Sequence, residues 1–189
     1  MEFKNILDCK TKEEFKQWLE NNHEKKKNVG FFCKKGKIKE EDVFYYIDAV
    51  YIALSYGWID STLKKKKDGK TIQRFSPRRK GSYWTELNKE RCRWLIKNNL
   101  MTQSGFESLL NLDEKLKIDP EIKEALKEDN EIWENFNKFP ELYQRIRIGN
   151  IMRDKKFKRE CETSLRRFLE KTKENKIYRD WNDNGRLLK

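Results

Sequence analysis

The sequence predicts an α+β protein, mostly helical, with a small antiparallel sheet in its N-terminal half. Three observations carry this. Apolar residues recur at three- and four-residue steps in most segments, the period of an amphipathic helix. The short runs rich in aromatic and β-branched residues, Val29–Lys34, Ile59–Leu63 and Thr71–Ser76, all precede residue 85. Aromatic residues make up 13% of the chain, with 6 Trp, 7 Tyr and 11 Phe, so a core can form although 40% of residues are charged. A chain of 189 residues buries roughly 70% of its unfolded surface, enough for one compact domain or two small lobes.

Each element has a local cause. Thr11-Lys12-Glu13-Glu14 is a capping box, and Phe15, Trp18 and Leu19 follow as one apolar stripe, so a helix runs to about Asn21 or Asn22. Val29–Lys34 reads as a strand, with a turn at Gly36. Val43, Ile47, Val50 and Leu54 mark a buried helix face that stops before Gly57. Gly57-Trp58 looks like a tight passage from helix to strand. Ile59–Leu63 and Thr71–Ser76 form a hairpin around Lys67-Asp68-Gly69-Lys70, since Asp-Gly favours a tight turn, and Pro77 closes it. A third strand is needed, because a lone hairpin is marginal in water.

Beyond residue 85 the pattern is helical. Leu87, Arg91, Trp94 and Leu95 share a face, and Thr102 caps a helix through Phe106, Leu109 and Leu110. Asp119-Pro120-Glu121 is a helix start, with Ile122, Ala125 and Leu126 behind it. Ile132, Trp133 and Phe136 give another apolar turn, and Pro140 opens a helix that uses Leu142, Ile146 and Met152. Phe157, Cys161, Leu165 and Phe168 line the last long helix. No repeat and no Gly/Ser linker interrupts the chain, so residues 1–189 read as a single domain, mixed over 1–85 and helical over 86–189.

Charge is segregated. Lys and Arg number 44 against 32 Asp and Glu, a formal charge of +12. The segments 64–97 and 144–171 are strongly basic, and 111–134 is acidic. A face built from the basic segments would attract anions: an anionic small molecule, an acidic protein or nucleic acid. No apolar run reaches the roughly 20 residues of a membrane span, and no secretory pattern opens the chain, so a cytoplasmic protein is expected. Cys9, Cys33, Cys92 and Cys161 lack metal-ligand spacing and one histidine is present, so reduced thiols and no metal are expected. No phosphate-cradling glycine loop occurs and Ser61, Ser76 and Ser82 lack a nucleophile-elbow context, so no cofactor is expected.

The densest set of chemically capable side chains is Trp58, Asp60, Gln73, Arg74, Arg78, Arg79, Ser82, Trp84 and Asn88. Two readings stand. Asp60 pairs with one arginine and fixes the hairpin, or the arginines bind an anionic ligand flanked by Trp58 or Trp84, because the rigid guanidinium fork suits planar anions. His23 at the end of the first helix reads as a C-terminal cap, with general acid–base work as the alternative.

Several of these residues form an ordered series of motifs. They are Ala53-Leu54-Ser55-Tyr56-Gly57-Trp58-Ile59-Asp60, Gln73-Arg74-Phe75-Ser76-Pro77-Arg78-Arg79-Lys80-Gly81-Ser82-Tyr83-Trp84, Asn88 with Arg91, and Met101-Thr102-Gln103-Ser104-Gly105. In this the chain resembles the YdeI/OmpD-associated, or bacteriocin-protection, family. The likeness runs from about residue 11 to 112 and thins beyond 130, where Met152–Glu160 approximates a closing basic segment. The resemblance implies a role in tolerance of cationic antimicrobial peptides, a link to an outer-membrane porin and no assigned catalytic mechanism.

Three functions follow. The first is a non-enzymatic cytoplasmic binding protein of the bacteriocin-protection and envelope stress-tolerance kind, taking an anion at Trp58, Asp60, Arg74, Arg78, Arg79, Ser82, Trp84 and Asn88. The second is nucleic-acid binding, whose affinity falls steeply with salt. The third is an enzyme centred on Asp60. No direct membrane span is expected, and the chain reads as a monomer or weak dimer, with Phe31, Tyr178, Trp181, Leu187 and Leu188 either in a dimer contact or docked.

Overall fold

The computed structural model describes residues 6–37, 39–40, 43–65, 71–110, 112–154 and 158–189. The architecture is α+β and mostly helical, with a three-stranded antiparallel sheet in the N-terminal half. The described elements run α1 (Lys12–Asn22), β1 (Val29–Phe32), α2 (Tyr46–Ser55), β2 (Trp58–Lys65), β3 (Thr71–Pro77), α3 (Glu86–Lys97) and α4 (Gln103–Glu107). Then come α5 (Pro120–Lys127), α6 (Asn130–Lys138), α7 (Glu141–Arg153), α8 (Lys158–Lys173) and a 3-10 turn at Arg186–Leu188.

The caps act as the sequence predicts. Glu14 N donates to Thr11 Oγ1 at 3.1 Å, and Thr11 N donates back to Glu14 Oε2 at 3.4 Å. Asp119 caps α5 with Pro120 at its first position. The helix after Thr102 is shorter than predicted. Ser108 N turns back to the carbonyls of Ser104 and Gly105, and Ser108 Oγ donates to Gly105 O at 2.7 Å, so α4 closes before Leu109. The predicted turn at 67–70 and Phe157 lie outside the described residues.

Strand order in the sheet is β1-β3-β2. Both pairings are antiparallel, with Phe31 opposite Gln73, Val29 opposite Phe75 and Asp60 opposite Phe75. Side chains alternate between faces along a strand, so Phe31, Gln73, Phe75 and Asp60 share one face while Arg74 points to the other. On the shared face Phe15 of α1 lies 4.6 Å from Phe31 and 5.4 Å from Phe75, ring centre to ring centre. These rings form the core that seats α1 on the sheet.

The chain packs as two compact units, Met1–Tyr83 with Arg91–Leu112, and Trp84–Glu90 with Asp113–Lys189. The first holds the sheet and the phenylalanine cluster. The second is helical, around Ile122, Leu126, Phe136, Tyr143, Ile146 and Phe168. Its tail is pinned by Trp181, whose ring lies 5.7 Å from Tyr143. The Arg147 guanidinium sits over the Tyr143 and Tyr178 rings and donates to Asp180 O at 3.3 Å. Phe31 and Trp181 are buried at 0% and 8% exposure, so both dock within their own units.

Candidate functional site

The polar part of the first unit grows from the sheet face that carries the phenylalanines. Asp60, on β2, accepts a 2.6 Å hydrogen bond from the hydroxyl of Tyr46, the first residue of α2. Burial, and then the Asp60 charge, push the Tyr46 hydroxyl far above its ordinary range, with Arg91 acting the other way. The hydroxyl therefore stays protonated and remains a donor. Lys35 places its ammonium 4.7 Å from the Tyr46 ring centre and donates to Gln73 Oε1 at 3.3 Å. Gln73 is buried, and its amide donates to the carbonyls of Ser61 and Arg74. Beside them burial pushes the Cys33 thiol up to about 11; Lys35 lowers it and Asp60 raises it. Burial weakens the charged form of Arg78, which the nearby Asp60 supports.

Arg78 also ties up the turn that follows β3. Its Nη2 donates to Ser82 Oγ at 3.2 Å and to Tyr83 O at 3.0 Å, and its backbone N donates to Gly57 O at 2.9 Å. Arg79 beside it is exposed. Of the eight residues predicted for a ligand, the structure brings together Asp60, Arg78 and Ser82. Arg74 lies on the opposite face of the sheet, opposite Gly30. Trp58 turns inward: it is 1% exposed, its Nε1 donates to His23 O at 3.2 Å, and its ring meets Trp18 edge-on at 5.8 Å. Trp84, which is buried, and the partly buried Asn88 belong to the second unit. Tyr46, Lys35 and Cys33 escaped the sequence reading because only the strand register and the start of α2 bring them to Asp60.

A second arrangement lies at the end of α1. His23 is its C-terminal cap residue, as the sequence suggests, and the ring Nδ1 lies 2.8 Å from Leu19 O. A carbonyl only accepts, so in the neutral ring Nδ1 carries the proton and Nε2 presents its lone pair. Ser104 Oγ lies 2.8 Å from that Nε2 and donates to it. Eighty-one positions separate the two residues, and no local sequence signal links them. The contact depends on α4 docking closely. Thr102 donates to Ser55 O through its hydroxyl at 2.6 Å and its backbone N at 3.1 Å. Gly105 packs on that carbonyl so tightly that a Cβ would lie 2.2 Å from it. Gly57, at φ +71°, leaves space where a Cβ would approach Ser104 O to 2.9 Å.

Among the described residues no helix is long and apolar enough to cross a membrane, and no group of three or more His, Cys, Asp or Glu could hold a metal ion. The family model for a domain of unknown function, DUF8412, matches residues 7–108, more than half of the chain. The chain belongs to the DUF8412 family. Residues 115–160 match a second model, that of the bacteriocin-protection, YdeI or OmpD-associated proteins. The resemblance read from the sequence is therefore present, but it falls downstream of the motifs between 11 and 112 that suggested it. Those motifs lie in the DUF8412 region, together with the Asp60 cluster and the Ser104–His23 pair. The bacteriocin-protection match instead covers α5 to α7 and the first residues of α8. No curated protein matches the chain, and no solved structure does.

Proposed function

We propose that this protein is a cytoplasmic binding protein of the bacteriocin-protection type, and that its DUF8412 region takes a small oxyanion beside Asp60. One observation carries the reading. Arg78 lies near Asp60, Arg91 acts on Tyr46, and Lys35 acts on Cys33 and lies over the Tyr46 ring, so cations gather around the partly buried Cys33, Tyr46 and Asp60. Burial favours the neutral thiol and the neutral phenol, so neither adds negative charge beside the cations. A carboxylate or phosphate entering it would gain charge-assisted hydrogen bonds in a medium less screening than water. The Tyr46 hydroxyl, held by Asp60, fixes that carboxylate in place. Asp60, Arg78 and Ser82 of the predicted set contribute, with Lys35 and Tyr46 added. Four free thiols support a reducing compartment, and the second family match supports the bacteriocin-protection role.

Isothermal titration with inorganic phosphate and with acetate, at low and high salt, tests this. The expected result is saturable one-to-one binding that weakens with salt and falls about tenfold in Lys35→Ala, the loss of one charge-assisted contact. Absence of binding by the folded protein, or binding indifferent to Lys35, would overturn it. Tighter retention of a single-stranded oligonucleotide, with a steep salt slope, would move the reading to nucleic acid.

A further inference from the structure

We infer that Ser104 is a nucleophilic hydroxyl, activated by His23, that accepts acyl groups from small, unhindered esters. This site is separate from the Asp60 cluster and does not depend on it. A serine hydroxyl is a weak nucleophile until a positioned base takes its proton as it attacks. The Ser104–His23 pair meets the geometric requirement, with Oγ and Nε2 2.8 Å apart. The ring is oriented as such a base must be. Nδ1–H is held by Leu19 O, which fixes the tautomer, and the Tyr56 ring lies 5.3 Å from the imidazole, centre to centre. The Trp58 indole holds the His23 carbonyl, so the backbone beneath the ring is anchored as well. The His23 side chain is 16% exposed and Ser104 is partly exposed, so a small reagent has access. Thr102, Gly105 and Gly57 together hold Ser104 at this spot.

The reaction balances without any co-reactant beyond water. Ser104 Oγ bonds to the ester carbonyl carbon while its proton passes to His23 Nε2. The bond from that carbon to the alcohol oxygen breaks, and the alcohol leaves with the proton from Nε2. Water then attacks the acyl-serine and gives a proton to Nε2, which returns it to Ser104 Oγ as the acid departs. The Leu19 carbonyl holds Nδ1–H throughout and takes no proton. Glu24, whose carboxylate lies 3.8 Å from Nε2 and is 79% exposed, supports the transient imidazolium only weakly.

The test is labelling of the intact protein by a small fluorophosphonate, located by peptide mass mapping. Here Oγ bonds to phosphorus, its proton passes to His23 Nε2, and fluoride leaves. Label is expected at Ser104 and not at Ser108, whose hydroxyl donates to Gly105 O. His23→Gln should slow it at least about a hundredfold, the usual contribution of a general base. Ser104→Ala should abolish it. Circular dichroism of each variant checks the fold. A folded parent protein that takes no label at Ser104, or takes it equally fast without His23, would overturn the assignment and reduce the contact to a bond between α1 and α4.

Discussion

A methyl group at Gly105 has nowhere to go. It would stand 2.2 Å from the Ser55 carbonyl oxygen and 2.5 Å from the Met101 sulfur, and the first of these is backbone. Gly105→Ala is therefore expected to lower stability by about 2–3 kcal/mol, the upper part of the range for overpacking. Urea unfolding reads that loss, and labelling of Ser104 should fall with it because α4 moves away from His23. Gly57 is a different case, because its neighbours in the sequence already mark a tight passage from helix to strand. The demand at Gly105 was illegible: nothing near it in sequence says that the distant Ser55 carbonyl lies against its Cα. The same kind of separation hid the partner of His23.

At the scale of elements, much was legible because the causes are local. The capping box at Thr11, the Asp119-Pro120 start and the strand character of Val29–Phe32 all follow from neighbours a few positions apart. Order within the sheet was not, since β1 beside β3 is a pairing between segments far apart in the chain. Charge pairs between elements were hidden in the same way. Glu86, at the start of α3, is 3% exposed; Lys89 reaches it at 2.9 Å and Arg145 of α7 at 3.3 Å. Arg145 also holds Glu90 at 3.1 Å. Removing the buried carboxylate takes the acid that Lys89 and Arg145 share and leaves Arg145 to Glu90 and the exposed Glu141, so Glu86→Ala should cost about 3 kcal/mol. Glu86→Gln keeps the shape and one acceptor oxygen, so it should cost less. Thermal melts of the two variants side by side check the order.

For the whole molecule, the thiols set an alkaline limit. Burial pushes Cys9 and Cys92 up to about 12 and Cys33 to about 11, from an ordinary value of 9.0. The folded chain thus keeps protons that the unfolded chain releases, and stability drains away as pH rises through that interval. The stabilising preference is intact below pH 9.0 and lost progressively toward about 12, with Tyr46 acting in the same direction. The urea midpoint should hold steady to about pH 9 and fall above it, and Cys92→Ala should flatten part of the fall. The sequence allowed four reduced thiols; how deeply each sits depended on packing that only the fold supplies.

The interleaved strand order also governs how the protein can be made. Residues 29–32 emerge from the ribosome well before 72–75, the stretch they pair with, so β1 waits for its sheet neighbour while β2 is still being synthesised. The first unit then needs Arg91–Leu112, yet the intervening Trp84–Glu90 belongs to the second. A nascent chain stalled at residue 90 would hold neither unit complete, and the phenylalanines meant for the sheet would stand open to chaperones until translation resumed.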